Sequence, residues 1–162
     1  MKKLFVLAAL LFCICIYACA KAAEYREDLD TDDILKGAPH TVRSADDYDE
    51  YDDDFVVFFF GDIPADCDHT VIYSRDQNDI NEVGIFHAAS DADALKIYEK
   101  VTEYISEMQK TQRAFIASYA PSELEKLDRA EVRKYGNYVI YTILSEGDSK
   151  ALFEHVENTL KG

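Results

Sequence analysis

The chain has 162 residues, 32 of them Asp or Glu against 17 Lys or Arg, for a formal charge of −15. So acidic a surface excludes nucleic acid and anionic lipid headgroups as partners, because both would be repelled. The length fits a single domain with a tail, enough chain to bury a real core.

The chain opens with Lys2 and Lys3, an unbroken apolar run from Leu4 to Tyr17, then Ala18-Cys19-Ala20 and a sharp change to charge. A basic start, a short apolar core and a small-residue exit are the parts of a secretory signal peptide, here residues 1–18. The run falls short of the roughly 20 residues that cross a hydrocarbon core, so a permanent transmembrane helix is not expected. Ile16-Tyr17-Ala18-Cys19 resembles a bacterial lipobox, in which the thiol is lipidated before cleavage, and makes Cys19 the lipidated mature N-terminus. Tyr17 departs from the small or aliphatic residue usual there. The alternative is ordinary cleavage after Ala18-Cys19-Ala20 or Ala20-Lys21-Ala22 and a secreted protein. Cys13 and Cys15 would leave with the signal, and with Cys19 lipidated Cys67 is the one free thiol, so no internal disulfide can form.

Residues 19–54 are poor in large apolar side chains and crowded with carboxylates, seven of them in the nine residues from Asp46 to Asp54. Such a segment cannot bury enough surface to offset its ordering entropy, which predicts an acidic, largely disordered tether. Around Asp32 to Lys36 two readings stand level: a short helical turn capped by Asp30 or Thr31 and stopped by Gly37, or a disordered spacer that keeps the domain off the bilayer. Asp28-Leu29-Asp30-Thr31-Asp32 begins like a calcium loop, but Asp33 stands where the bend needs glycine and Pro39 where the bidentate glutamate belongs, so no metal site is assigned.

The domain itself is expected over 55–162. Phe55 to Phe60 is ambiguous by periodicity, and propensity favours strand. Thr70-Val71-Ile72-Tyr73 and Glu82 to His87 read as a hairpin about the turn Asp76-Gln77-Asn78-Asp79. Ser90, with Asp93 at the capping-box position, opens a long helix whose stripe runs through Leu95, Tyr98, Val101, Ile105, Met108, Phe115 and Tyr119. Pro121 to Leu127 suits a short helix. Glu131 to Tyr135 and Tyr138 to Leu144 flank Gly136-Asn137 as a second hairpin, and Leu152, Val156 and Leu160 mark a final helix. The order predicts an α+β fold: an antiparallel four-stranded sheet built from two hairpins, with the long central helix and the C-terminal helix on one face.

Four stretches together, Glu82-Val83-Gly84-Ile85-Phe86, Ser90-Asp91-Ala92-Asp93-Ala94, Tyr119-Ala120-Pro121 and Lys134-Tyr135-Gly136-Asn137-Tyr138-Val139, resemble the bacterial family called domain of unknown function 4358, over about Phe55 to Leu160. The resemblance implies a lipoprotein or secreted protein of Gram-positive type. It also implies a helical Phe55 to Phe60, against the propensity reading, and it carries no catalytic residues. The nine-residue acidic block is unusual for that family.

Two constellations could carry chemistry. Cys67 lies two residues from His69, a spacing that puts both on one side of an extended segment, with Asp66 or Asp68 able to orient the ring. The surrounding carboxylates would raise the thiol pKa, which argues against a nucleophile. Among eleven tyrosines, nine phenylalanines and no tryptophan, Tyr138 and Tyr141 are the candidate ligand-facing residues, since exposed rings supply rigid contact area, although tyrosine also suits a half-buried sheet position. His40, His87 and His155 are dispersed, with no zinc spacing, and no cofactor motif occurs. The function expected is an exported, lipid-anchored, non-enzymatic binding or interaction module on the outer face of the bacterial cell membrane. Its partners would be the membrane, through the lipid, and a cell-envelope protein or small ligand. The alternative is an extracytoplasmic enzyme using Asp/Glu carboxylates or the Cys67/His69 pair.

Overall fold

A computed structural model of the chain describes residues 25–39, 41–42 and 47–162. The signal peptide, Cys13, Cys15, Cys19 and His40 lie outside the described residues. Along the chain come α1 (Thr31–Lys36), β1 (Tyr48–Glu50), α2 (Asp53–Phe60), β2 (Asp68–Ser74), β3 (Glu82–His87), α3 (Asp91–Thr111) and α4 (Arg113–Tyr119). A 3₁₀ turn (Pro121–Glu123), α5 (Leu124–Asp128), β4 (Glu131–Tyr135), β5 (Tyr138–Ile143) and α6 (Glu146–Lys161) complete it. The strands form one antiparallel sheet in the order β1-β2-β3-β5-β4.

The fold is α+β as expected, but the sheet has five strands, not four. The additional strand comes from the acidic block: Tyr48 pairs with Ser74 and Glu50 with Ile72, at an edge where outward carboxylates are tolerated and discourage edge-to-edge pairing. Asp49 is held by Arg75, and just beyond the strand Tyr51 stacks on Tyr73 with centroids 4.3 Å apart.

The long helix and the C-terminal helix lie on opposite faces rather than sharing one. Ile72, Val83, Ile85, Tyr138 and Ile140 point into a core closed by Ile34 and Leu35 of α1 and by Leu152, Phe153, Val156 and Leu160 of α6. Val71, Phe86, Val139, Tyr141 and Ile143 point the other way, against Val56 and Phe60 of α2 and Ala94, Ile97, Val101 and Ile105 of α3. The reason is legible in β3 and β5, which are apolar at successive positions and therefore need cover on both sides.

The described part of the expected tether is folded onto the domain. α1 buries Thr31, Ile34 and Leu35, and the Thr31 N–H and hydroxyl both donate to the Asp68 carboxylate, at 2.8 and 3.0 Å. Ahead of it a strap runs over the end of the sheet. The Arg26 N–H donates to the Leu160 carbonyl, Glu27 accepts from the Asn137 N–H, and the Tyr138 hydroxyl both donates to the Leu29 carbonyl and accepts from the Leu29 N–H. Few apolar residues suffice here because polar groups more than 100 positions away in sequence bond to the strap.

α2 overturns the strand expected from propensity, in line with the family resemblance. The Asp52 carboxylate accepts from the Phe55 N–H, Asp53 and Asp54 sit in the positive first turn, and Gly61 ends the helix at φ +73°. The expected single long helix breaks at Gln112 into α3 and α4. Its buried stripe is Ala94, Ile97, Val101, Ile105 and, in α4, Ile116, so Leu95, Phe115 and Tyr119 are exposed instead. The second hairpin turns as expected through Gly136 at φ +58°, pairing Tyr135 with Tyr138.

Candidate functional site

The sequence nominated Cys67 with His69, and the fold separates their roles. The Cys67 thiol donates to the Asp68 carbonyl at 3.4 Å, while the His69 Nε2 faces Asp53 at 3.4 Å and its ring stacks on Phe86. No hydrogen bond joins thiol to imidazole among the described residues. Burial, with Asp68 and Asp66 nearby, pushes the Cys67 thiol up to about 12. At pH 7.5 that leaves about 10³-fold less thiolate than a thiol near 9, only partly offset by the greater nucleophilicity of a basic thiolate. Iodoacetamide is therefore expected to alkylate native Cys67 at least tenfold more slowly than free cysteine. Equal rates followed by intact-mass spectrometry would contradict this.

Tyr138 and Tyr141, the candidate ligand-facing residues, are fully buried. The cause is again the cover on both sheet faces. Tyr138 lies under the strap, with its ring stacked on His87 at 4.1 Å, and Tyr141 lies under α2 and α3. Of the carboxylates near the start of α1, Asp28 pairs with Arg26, and Asp32 and Asp33 pair with Lys36. Near the strap, Glu27, Asp66, Asp68 and His87 line a small recess, in which Asp68 is held by Thr31 and Glu27 by Asn137 and His87.

Sequence reasoning missed Glu82. At 5 % exposure it sits at the start of β3 on the α2/α3 side, and its carboxylate accepts from three phenols. Tyr104 of α3 donates to both oxygens, at 2.9 and 3.2 Å, Tyr51 donates at 3.4 Å, and Tyr141 of β5 donates to Oε1. Burial raises the Glu82 carboxyl above its ordinary range even though the three hydrogen bonds pull the other way. The same burial, with the Glu82 charge, raises the Tyr104 and Tyr141 hydroxyls. A glutamate at the head of an apolar strand was the available signal, but its partners come from three distant segments.

Sequence reasoning also missed the outer face of α2. Every residue from Phe55 to Phe60 is apolar, yet only Val56 and Phe60 are buried, with Phe59 partly buried against the same core. Phe58 is 79 % exposed, Phe55 52 %, and Val57 projects beside them. Between α2 and α3 runs a groove of about 470 Å³ lined by Phe58, Phe59, Tyr104 and Met108, with Gly61 and Lys100 toward one end and the exposed carboxylates Glu103 and Glu107 along α3. Tyr104 thus joins the groove wall to Glu82. His69, reaching Asp53, ties the first turn of α2 to the sheet.

A family model described as Domain of unknown function (DUF4358) matches residues 59–144, from the end of α2 to the residue after β5. No curated protein matches this chain, and no solved structure does.

Proposed function

This chain belongs to the DUF4358 family, and from the surface it presents we propose that it is an exported, lipid-anchored cell-envelope protein acting as a non-enzymatic binding module. The observation that carries the binding role is the outer face of α2. Six successive apolar residues, Phe55 to Phe60, would normally be covered, and here Phe55, Val57 and Phe58 face solvent beside a groove. The localisation rests on the leader sequence and on Cys19, and the alternative outcome of processing is a secreted form. No helix among the described residues is long and apolar enough to cross a membrane. The enzymatic alternative finds a raised thiol and an imidazole turned to Asp53, and Glu82, the most buried carboxylate among the described residues, is enclosed by phenols.

The test is the double variant Phe55→Ser/Phe58→Ser. Phe58 is mostly exposed and Phe55 is half covered by Tyr51 and Phe59, so the double variant is expected to lose about 1 kcal/mol, well below the cost of truncating core phenylalanines. A loss of 2 kcal/mol or more in urea unfolding would make the two rings part of the fold and remove the basis for a binding face. Anchoring is read separately, from the mass of the mature N-terminal peptide: a start at Cys19 bearing diacylglycerol supports it, and an unmodified start at Lys21 or Ala23 defeats it.

A further inference from the structure

We propose that the α2 face and the α2/α3 groove receive a cationic amphipathic helix of a partner protein, its apolar side on Phe55, Phe58 and Met108 and its basic side on the carboxylates around them. The inference rests on the binding-module reading above and adds the chemistry of the occupant.

The groove supplies the apolar half of the recognition. Its volume, about 470 Å³, falls within the range of sites that enclose a ligand, and it is elongated between two helices, as helix-in-groove recognition requires. Aromatic rings and a half-buried methionine line it, and methionine adapts its shape to the side chain laid against it.

Charge selects the occupant. Asp54 borders the dish between Phe55 and Phe58, Asp53 precedes it, and Glu103 and Glu107 edge the groove on α3. The cations nearby are Lys100 at the Gly61 end and Lys110, which is already paired with Glu107. An apolar strip rimmed by excess carboxylate on a chain of net charge −15 repels two obvious occupants: a second copy of itself, whose own carboxylates would be apposed, and an anionic bilayer. A helix with lysines or arginines flanking an apolar stripe meets both halves of the surface.

The experiment titrates the folded mature domain with fluorescein-labelled 18-residue peptides, read by anisotropy: a Leu/Lys amphipathic helix, its Leu/Glu counterpart, and a Lys/Ser peptide of equal charge without the apolar stripe. The Leu/Lys peptide is expected to bind at least tenfold more tightly than either other peptide, and Phe55→Ser/Phe58→Ser is expected to weaken it at least tenfold while lowering the melting temperature by only a few degrees. Leu/Lys binding unchanged in that variant would mean adhesion to an acidic surface and would overturn the proposal. Equal binding of the Leu/Glu peptide would overturn the role of the carboxylates. If sedimentation shows wild type forming dimers that the variant cannot, a second copy covers α2, which defeats the cationic partner and spares the binding-module reading. If the variant binds all three peptides as wild type does, the cationic partner falls, whereas the binding-module reading falls only on the stability loss named above.

Discussion

Gly84→Ala is expected to lower the melting temperature by roughly 10 °C or more, a cost of about 3 kcal/mol at the upper end of ordinary overpacking. Gly84 pairs with Tyr141 across β3 and β5, and a Cβ on it would lie 2.8 Å from ring carbon Cδ1 and nearer still to Cε1. Rings usually swing aside for a methyl group, but this one is fully buried. It packs against Phe60, Phe86 and Tyr104, and its hydroxyl is bound to Glu82. A melting curve shifted by less than about 3 °C would show that the ring has somewhere to go.

Glu82→Ala is expected to cost about 2–4 kcal/mol, because it strips the shared acceptor from three phenols and leaves a hole among them. Tyr51 and Tyr104 are half-buried and can turn toward water, whereas Tyr141 cannot. Most of the loss therefore falls on Tyr141, and Tyr141→Phe in the alanine background should add little. A full additional penalty from that second change would show that the two do not act as a pair.

The Glu82 site also fixes a pH trend. Its carboxyl is raised above the ordinary glutamate value of 4.5, so the folded chain keeps that proton where the unfolded chain has released it. The resulting advantage is fully present below pH 4.5 and is lost as pH rises through the folded value. Measured against Glu82→Gln, in which the other carboxylates cancel, the stability of wild type should decline from acid toward neutral pH. A difference that grows with pH instead would mean that the three phenols outweigh burial.

The hairpins, the cap of α3, the apolar stripe of the C-terminal helix and the α+β class were readable because each depends on a few neighbouring residues: Ser90 with Asp93, Gly136 between two strands, Leu152 with Val156 and Leu160. What was not readable depended on distant partners. Averaging charge over Asp46 to Asp54 hid an edge strand, because pairing with Ile72, Tyr73 and Ser74 and the stacking of Tyr51 on Tyr73 outweigh local repulsion there. Strand propensity misplaced Phe55 to Phe60, since three acids in succession at a helix start, one of them capping, decide that segment. The buried fate of Tyr138 and Tyr141 followed from a second layer of cover, which the apolar run Tyr138 to Tyr141, with Ile143 beyond Thr142, already implied. Glu82 could be noticed in sequence but not interpreted, because Tyr51, Tyr104 and Tyr141 converge on it only in three dimensions.

The strap from Tyr25 to Leu29 changes what an anchor at Cys19 would mean. With those residues fastened to the end of the sheet and to Leu160, only six peptide steps separate Tyr25 from Cys19, a leash of at most about 20 Å. A domain on so short a leash would not sweep the periphery of the cell. It would patrol a shell one protein thick against the bilayer, where a membrane-bound neighbour meets it at high effective concentration and even a weak contact is occupied.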